Sequence, residues 1–210
     1  MMQVKSDHAN GKAHRANGHA HRANGHSPRA SGHRTNRFST ALIDGQTQEF
    51  GVMQRNPLGL DLAVATQSAD ELNQLLADTL TIRDLYKKHH WQAAGPMFYM
   101  IHLLYDKHFE EQSKLVDLVA ERIQTLGGLA IAMAADVAEA TKIARPPKDR
   151  EPVPTQIARL LDAHDMILYE ARNMAEDAET RGDLATNDIL VSNVIRTNEL
   201  QAWFLDQHVR

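Results

Sequence analysis

Apolar residues recur at intervals of three and four through most of the chain beyond residue 67, and no stretch sustains the two-residue alternation of a half-buried strand. Ser68-Ala-Asp-Glu71 has the form of a capping box, in which the serine hydroxyl serves a first-turn N–H and the glutamate reaches back. Leu72, Leu75, Leu76, Leu80 and Leu85 then lie on one stripe, which predicts a first long helix running to Ala94. Gly95-Pro96 ends it and starts the next, glycine permitting the turn and proline suiting a first helical position. The second helix carries Phe98, Ile101, Tyr105, Phe109, Val116, Val119, Ile123 and Leu126, and Gly127-Gly128 stops it. A shorter helix is expected over Leu129–Lys142, followed by a proline-rich loop from Arg145 to Pro154. A third long helix is predicted from Thr155 to Thr180, with Ile157, Leu160, Leu161, Ile167, Leu168 and Met174 inward. The fourth, Asp183 to His208, is expected to bury Ile189, Leu190, Val194, Ile195, Trp203 and Phe204. The fold class that follows is all-α: a four-helix bundle with a short extra helix between the second and third long helices.

Composition agrees with that reading. Apolar residues make up 42% of the 210, enough for a core, while 5% aromatics suits aliphatic helix packing better than a β-sandwich. The absence of cysteine excludes disulfides, thiolate metal sites and a cysteine nucleophile, and is consistent with a reducing cytoplasm. No apolar run approaches the roughly 18 residues of a membrane span. The opening MMQVKSDHAN lacks the apolar segment of a secretory signal. The expectation is a cytoplasmic protein with no membrane partner.

Charge divides the chain. Residues 1–37 hold seven Lys and Arg against Asp7 alone, so the remainder carries 16 of the 23 basic residues and 26 of the 27 acidic ones. The basic arm is built of four seven-residue units, DHANGKA, HRANGHA, HRANGHS and PRASGHR, with glycine at 11, 18, 25 and 32. No position in the repeat is reliably large and apolar, so there is no coiled-coil seam to bury. Its Gly, Asn and Ser favour a solvated chain that cannot offset the entropy of ordering. Residues 1–37 are therefore expected to form a disordered arm, 38–60 an irregular lead-in and 61–210 the bundle. Three roles fit the arm: a solubilising tail, nonspecific DNA binding through Lys and Arg on phosphates, and loose capture of divalent metal by its six histidines.

The chemistry sits on the first two helices, in His90, His102, Asp106, Asp117 and Glu121. At about 100° per residue, Asp106, Asp117 and Glu121 lie near 40°, 60° and 100° from His102, so all four share one face of the second helix. They are too spread out for one ion: the His102/Asp106 and Asp117/Glu121 pairs are roughly 22 Å apart along the axis. The two halves meet only if a second copy of the helix runs antiparallel, crossing near residues 111 and 112. That is a two-fold dimer with paired sites shared between chains.

No Glu in the chain has His three residues later, so the Glu-x-x-His signature of ordinary di-iron bundles is missing. Instead the segment HHWQAAGPMFYMIHLLYDKHFEEQSKLVDLVAERIQTLGG, His89 to Gly128, resembles the Dps family of ferritin-like mini-ferritins. It carries both the His-Trp…Gly-Pro-x-Phe…His-x-x-x-Asp string and the Asp-x-x-x-Glu-Arg…Gly-Gly string. The resemblance implies a ferritin-like bundle assembled as a dodecameric shell of two-fold dimers. It also implies ferroxidase sites in which His90, His102 and Asp106 come from one subunit and Asp117 and Glu121 from its partner. Imidazole and carboxylate donors without thiolate suit Fe(II), with Zn(II) a possible substitute. The implied function is oxidation of Fe(II) with hydrogen peroxide or oxygen and storage of Fe(III) mineral, alongside nonspecific DNA binding at the nucleoid. The alternative is a DNA-compacting protein whose metal site is mainly structural. Trp91 suits interface packing or the quenching of stray oxidising equivalents. His108, His164 and His208 are weaker candidates for extra ligands, and Glu110 for mineral nucleation.

Overall fold

The computed structural model describes residues 47–210, and every regular element among them is helical. In chain order these are α1 (Leu62–Gln92), α2 (Phe98–Leu126), α3 (Ala134–Ala140), α4 (Val153–Thr180), α5 (Leu184–Asp188) and α6 (Arg196–Asp206). A π-helical segment, Ile189–Ile195, joins α5 to α6, so the three form the fourth long helix. α1 packs along α2 and α4, α4 packs along α5, the π segment and α6, and α2 meets the π segment, which closes the four-helix bundle. The short α3 lies against α1 in the connection between the second and third long helices. The basic repeat and the first part of the lead-in lie outside the described residues.

The start of α1 corrects the capping-box expectation. The N-cap is Asp61, whose carboxylate accepts from the Ala63 N–H at 2.8 Å. Ser68 is buried mid-helix, and Glu71 takes a bidentate pair from Arg181 at 3.0 and 2.6 Å. A Ser-x-x-Glu string inside a helix looks identical to one at its start, and only Arg181, 110 residues away in sequence, shows where Glu71 is used. Other boundaries move by smaller amounts. α1 stops at Gln92, Pro96 precedes rather than opens α2, and α4 begins at Val153 with Pro154 in its first turn. α3 is half the expected length and buries none of its residues.

The predicted leucine stripe of α1 is buried throughout, as are Ile101, Tyr105, Val119, Ile123 and Leu126 of α2. Two aromatic assignments fail. Phe98 is 43% exposed and Trp203 is 55% exposed. In the fourth helix the inward stripe runs Leu190, Val194, Asn198, Gln201 and Leu205, so polar Asn198 and Gln201 occupy core positions and Trp203 is turned outward. A choice made on hydrophobicity alone could not anticipate that.

The lead-in has a definite job at the far end of α2. Its last carbonyls have no helical partners. The Gln54 N–H donates to the Gly127 carbonyl at 2.8 Å, Gln48 Nε2 donates to the same oxygen at 2.9 Å, and Asn56 Nδ2 donates to the Thr125 carbonyl at 2.7 Å. Gly127 has φ +101°, and a Cβ there would lie 1.8 Å from the Gln54 carbonyl oxygen, so only glycine fits. Beside this clasp a buried ion pair, Arg122 to Asp183 at 2.6 Å, ties the end of α2 to the N-cap of α5.

Candidate metal centre

The last turn of α1 and the second turn of α2 are brought side by side by the short connection through Gly95. His90 and His102 stack there with ring centroids 3.7 Å apart and planes 20° from parallel. Each imidazole bonds the other's backbone: His90 Nδ1–H donates to the His102 carbonyl at 2.8 Å, and His102 Nδ1–H donates to the His90 carbonyl at 3.0 Å. A carbonyl only accepts, so both hydrogens sit on Nδ1 and both Nε2 atoms keep a lone pair. This is the tautomer a metal requires, held by the backbone contacts that commonly orient metal-binding histidines.

Asp106 lies one turn beyond His102. Its Oδ1 is 3.8 Å from His90 Nε2, too far for a hydrogen bond but suited to two donors each about 2.0–2.2 Å from a shared ion. Lys87, which sequence reasoning did not single out, donates from Nζ to the same Oδ1 at 2.5 Å while lying 4.3 Å above the Phe109 ring. The hydrogen bond from the Lys87 ammonium holds the Asp106 carboxyl below the usual carboxylate range. The signal for Lys87 was its position three residues before His90 on α1, where the two side chains are neighbours.

Asp117 and Glu121 stand apart from this group. Along the continuous α2 they are about 22 and 28 Å from His102, and both are exposed. Among the described residues, no three His, Asp or Glu side chains of the single chain close around one point. The structure thus sets His90 against His102 and Asp106 beside His90, and leaves Asp117 and Glu121 farther along α2. The turns that carry the histidines also expose Trp91, Phe98, Tyr99, Met100 and Leu103, an apolar group left uncovered by the described residues. His108 and His164 are in the bundle interior, away from this surface, and His208 bonds the Phe204 carbonyl at 2.8 Å. His89 is buried behind His90, and desolvation lowers its pKa to about 4. Glu110 is exposed on α2.

Residues 69–210 match the model of the ferritin-like domain. The chain is 49% identical to the solved structure of DpsC from Streptomyces coelicolor, with a TM-score of 0.78 over 79% of this chain and 96% of that one. The chain belongs to the Dps family. An archaeal Dps homologue from Halobacterium salinarum superposes with a TM-score of 0.76 at 26% identity, covering 79% of this chain and 92% of that one. A nutrient stress-induced DNA-binding protein of Synechococcus is 30% identical over 155 residues, 74% of this chain and 88% of that relative. A protein of Kitasatospora aureofaciens is 44% identical over 138 residues, 66% of this chain and 92% of its own length. The Dps similarity to these relatives and structures therefore extends over the bundle rather than a single motif.

Proposed function

We propose that this Dps-family chain is a ferroxidase and iron-storage subunit, which oxidises Fe(II) with hydrogen peroxide or oxygen at sites shared across a two-fold interface. The observation that carries the reading is the reciprocal His90–His102 clasp, with Asp106 Oδ1 3.8 Å from His90 Nε2. Asp117 and Glu121 of a second copy complete the site when two α2 helices cross antiparallel, so that each chain supplies the half the other lacks. The exposed apolar side chains beside the histidines suit burial in that interface. Three carboxylates and two neutral imidazoles stabilise Fe(III) more than Fe(II), because anionic donors favour the higher charge. Iron is the substrate: two Fe(II) ions give one electron each, and one peroxide with two protons becomes two waters, without release of hydroxyl radical. Zn(II) would compete for the same donors. The family supports a dodecameric shell with mineral inside, in the cytoplasm and associated with the nucleoid. The basic arm adds nonspecific DNA binding through phosphate contacts.

Subunit mixing tests the shared site. Asp117→Asn/Glu121→Gln subunits and His90→Ala/His102→Ala subunits should each lose the fast rise in ferric absorbance after Fe(II) and peroxide are added. Co-assembled, every mixed dimer regains one intact site of its two, so activity should return to a sizeable fraction of wild type. If the mixture stays as inactive as its parents, the sites are not shared. A fast phase in either parent rules those residues out as the ferroxidase centre. The second reading, a DNA-compacting protein with a structural metal, rests on the charge of the arm and predicts DNA condensation with no fast ferric phase in the wild type.

A further inference from the structure

The bundle interior holds a polar cluster that the surface site does not use. Tyr86 of α1 is fully buried, and its O–H donates to His164 Nε2 of α4 at 2.5 Å. Asn198 of α6 determines the tautomer of that histidine. Its Nδ2 donates to the Val194 carbonyl at 2.8 Å, which leaves Asn198 Oδ1 facing His164 Nδ1 at 2.9 Å. Nδ1 therefore carries the hydrogen and Nε2 is the acceptor. On the other side, His108 Nδ1–H donates to the Tyr86 oxygen at 3.1 Å. Gln112 Nε2 donates to Asn198 Oδ1 at 3.0 Å and Gln201 Oε1 at 2.9 Å, so all four long helices contribute to the cluster.

A buried phenol with a base on its proton and a second donor on its oxygen is prepared to lose an electron. Phenol oxidation is uphill unless the proton leaves with the electron, and a base already in hydrogen-bond contact lets it do so over a fraction of an ångström. The neighbouring tyrosine is a built-in contrast. Tyr105, adjacent in sequence to Asp106, has its ring 6.0 Å from that of Tyr86, but its hydroxyl is buried with no partner among the described residues. It can pass a charge through the contact but has no base to receive its proton. From Tyr86 the aromatic contacts continue through His108 at 5.1 Å, Phe204 at 6.2 Å and Trp203 at 5.0 Å, and Trp203 is 55% exposed.

We propose that Tyr86 is a redox-active tyrosine, which donates an electron to one-electron oxidants formed from Fe(II) and peroxide at the neighbouring metal centre and hands its proton to His164. In the step, the Tyr86 O–H bond breaks, the electron reduces the oxidant, and the proton forms an N–H bond at His164 Nε2. The phenoxyl radical then accepts hydrogen bonds from both imidazoles. One-electron oxidation of a further Fe(II) to Fe(III) refills the hole, and the proton returns from His164 Nε2 to the Tyr86 oxygen. His164 is a positioning and proton-accepting residue here, and its burial keeps it neutral beforehand. The source of oxidant rests on the proposed ferroxidase function. The tyrosine chemistry itself does not.

Two oxidants separate those dependencies in the full-length assembled protein. One arm mixes Fe(II) and peroxide and freezes the sample for electron paramagnetic resonance; the other uses a photogenerated ruthenium(III) oxidant in metal-free protein. Both should give a tyrosyl signal that changes its line shape on incorporation of ring-deuterated tyrosine. Tyr86→Phe should reduce it at least tenfold, while Tyr105→Phe should leave a signal. His164→Gln, which keeps the phenol but removes the base, should shorten the radical lifetime and abolish its dependence on solvent deuterium. If Tyr86→Phe does not assemble, the His164→Gln lifetime and the deuterium dependence carry the test. A tyrosyl signal in the ruthenium arm alone supports Tyr86 as the redox group and counts against the iron-coupled source. No tyrosyl signal in either arm, an undiminished signal in Tyr86→Phe, or a lifetime unchanged in His164→Gln overturns the proposal.

Discussion

Lys87 shows how a single side chain alters the chemistry of a carboxylate. Its ammonium occupies the position beside Asp106 where a metal ion would compete for the same oxygen. Replacing it with glutamine removes a competing cation while leaving Asp106 ionised at neutral pH. Lys87→Gln should therefore bind Co(II) several-fold more tightly in a visible-absorbance titration, and weaker binding would show that Lys87 assists the metal. The buried imidazole of His164 makes a different prediction. Desolvation lowers its pKa from 6.5 to about 3, so below pH 6.5 the unfolded chain takes up a proton that the folded chain refuses. Stability is complete above about pH 6.5 and falls toward pH 3 by up to about 1.4 kcal/mol per pH unit for this group. Urea unfolding at pH 7.5 and 5.0 should give a clearly lower midpoint at the acid value, with a smaller difference in His164→Gln. Equal midpoints would mean that His164 protonates in the folded state.

At the scale of elements, the antiparallel pair α1–α2 is the unit that carries the candidate metal centre. Its turn brings His90 and His102 together, and its far end needs the lead-in to satisfy its carbonyls. Gly127→Ala should break that clasp, because the added Cβ meets the Gln54 carbonyl and the left-handed backbone costs about 1–3 kcal/mol in a non-glycine residue. Thermal melting should show a loss of several degrees, and an unchanged transition would mean that residues 48–56 do not hold the end of α2. The four-helix pattern was readable from apolar spacing because each helix buries one face. The helix starts were less readable, as Asp61 and Ser68 both precede plausible first turns and only tertiary contacts distinguish them.

For the whole molecule, separation of charge matters more than the net value of −4. The first 37 positions carry seven of the 23 basic residues and one of the 27 acidic ones, a balance that suits the proposed phosphate binding, whereas the acidic remainder would be repelled by phosphate. Deleting residues 1–37 should abolish nonspecific DNA retardation in a gel while leaving the fast ferric phase intact. In the full-length chain, DNA affinity should fall steeply with rising salt as counterions cease to be released. Retained DNA binding after the deletion would move the contact onto the bundle.

Helix content, the bundle class and the residues of the candidate site were determined by sequence alone, because periodic burial and ligand spacing are local properties that a linear pattern records. The separation of Asp117 and Glu121 from the histidines was equally legible, since a continuous helix converts residue number directly into distance. Only the tertiary structure decided that each histidine binds the other's carbonyl, that Lys87 reaches Asp106, and that polar Asn198 and Gln201 point inward around His164. These depend on which faces of separate helices meet, and a pattern along one chain carries no record of what lies across from it.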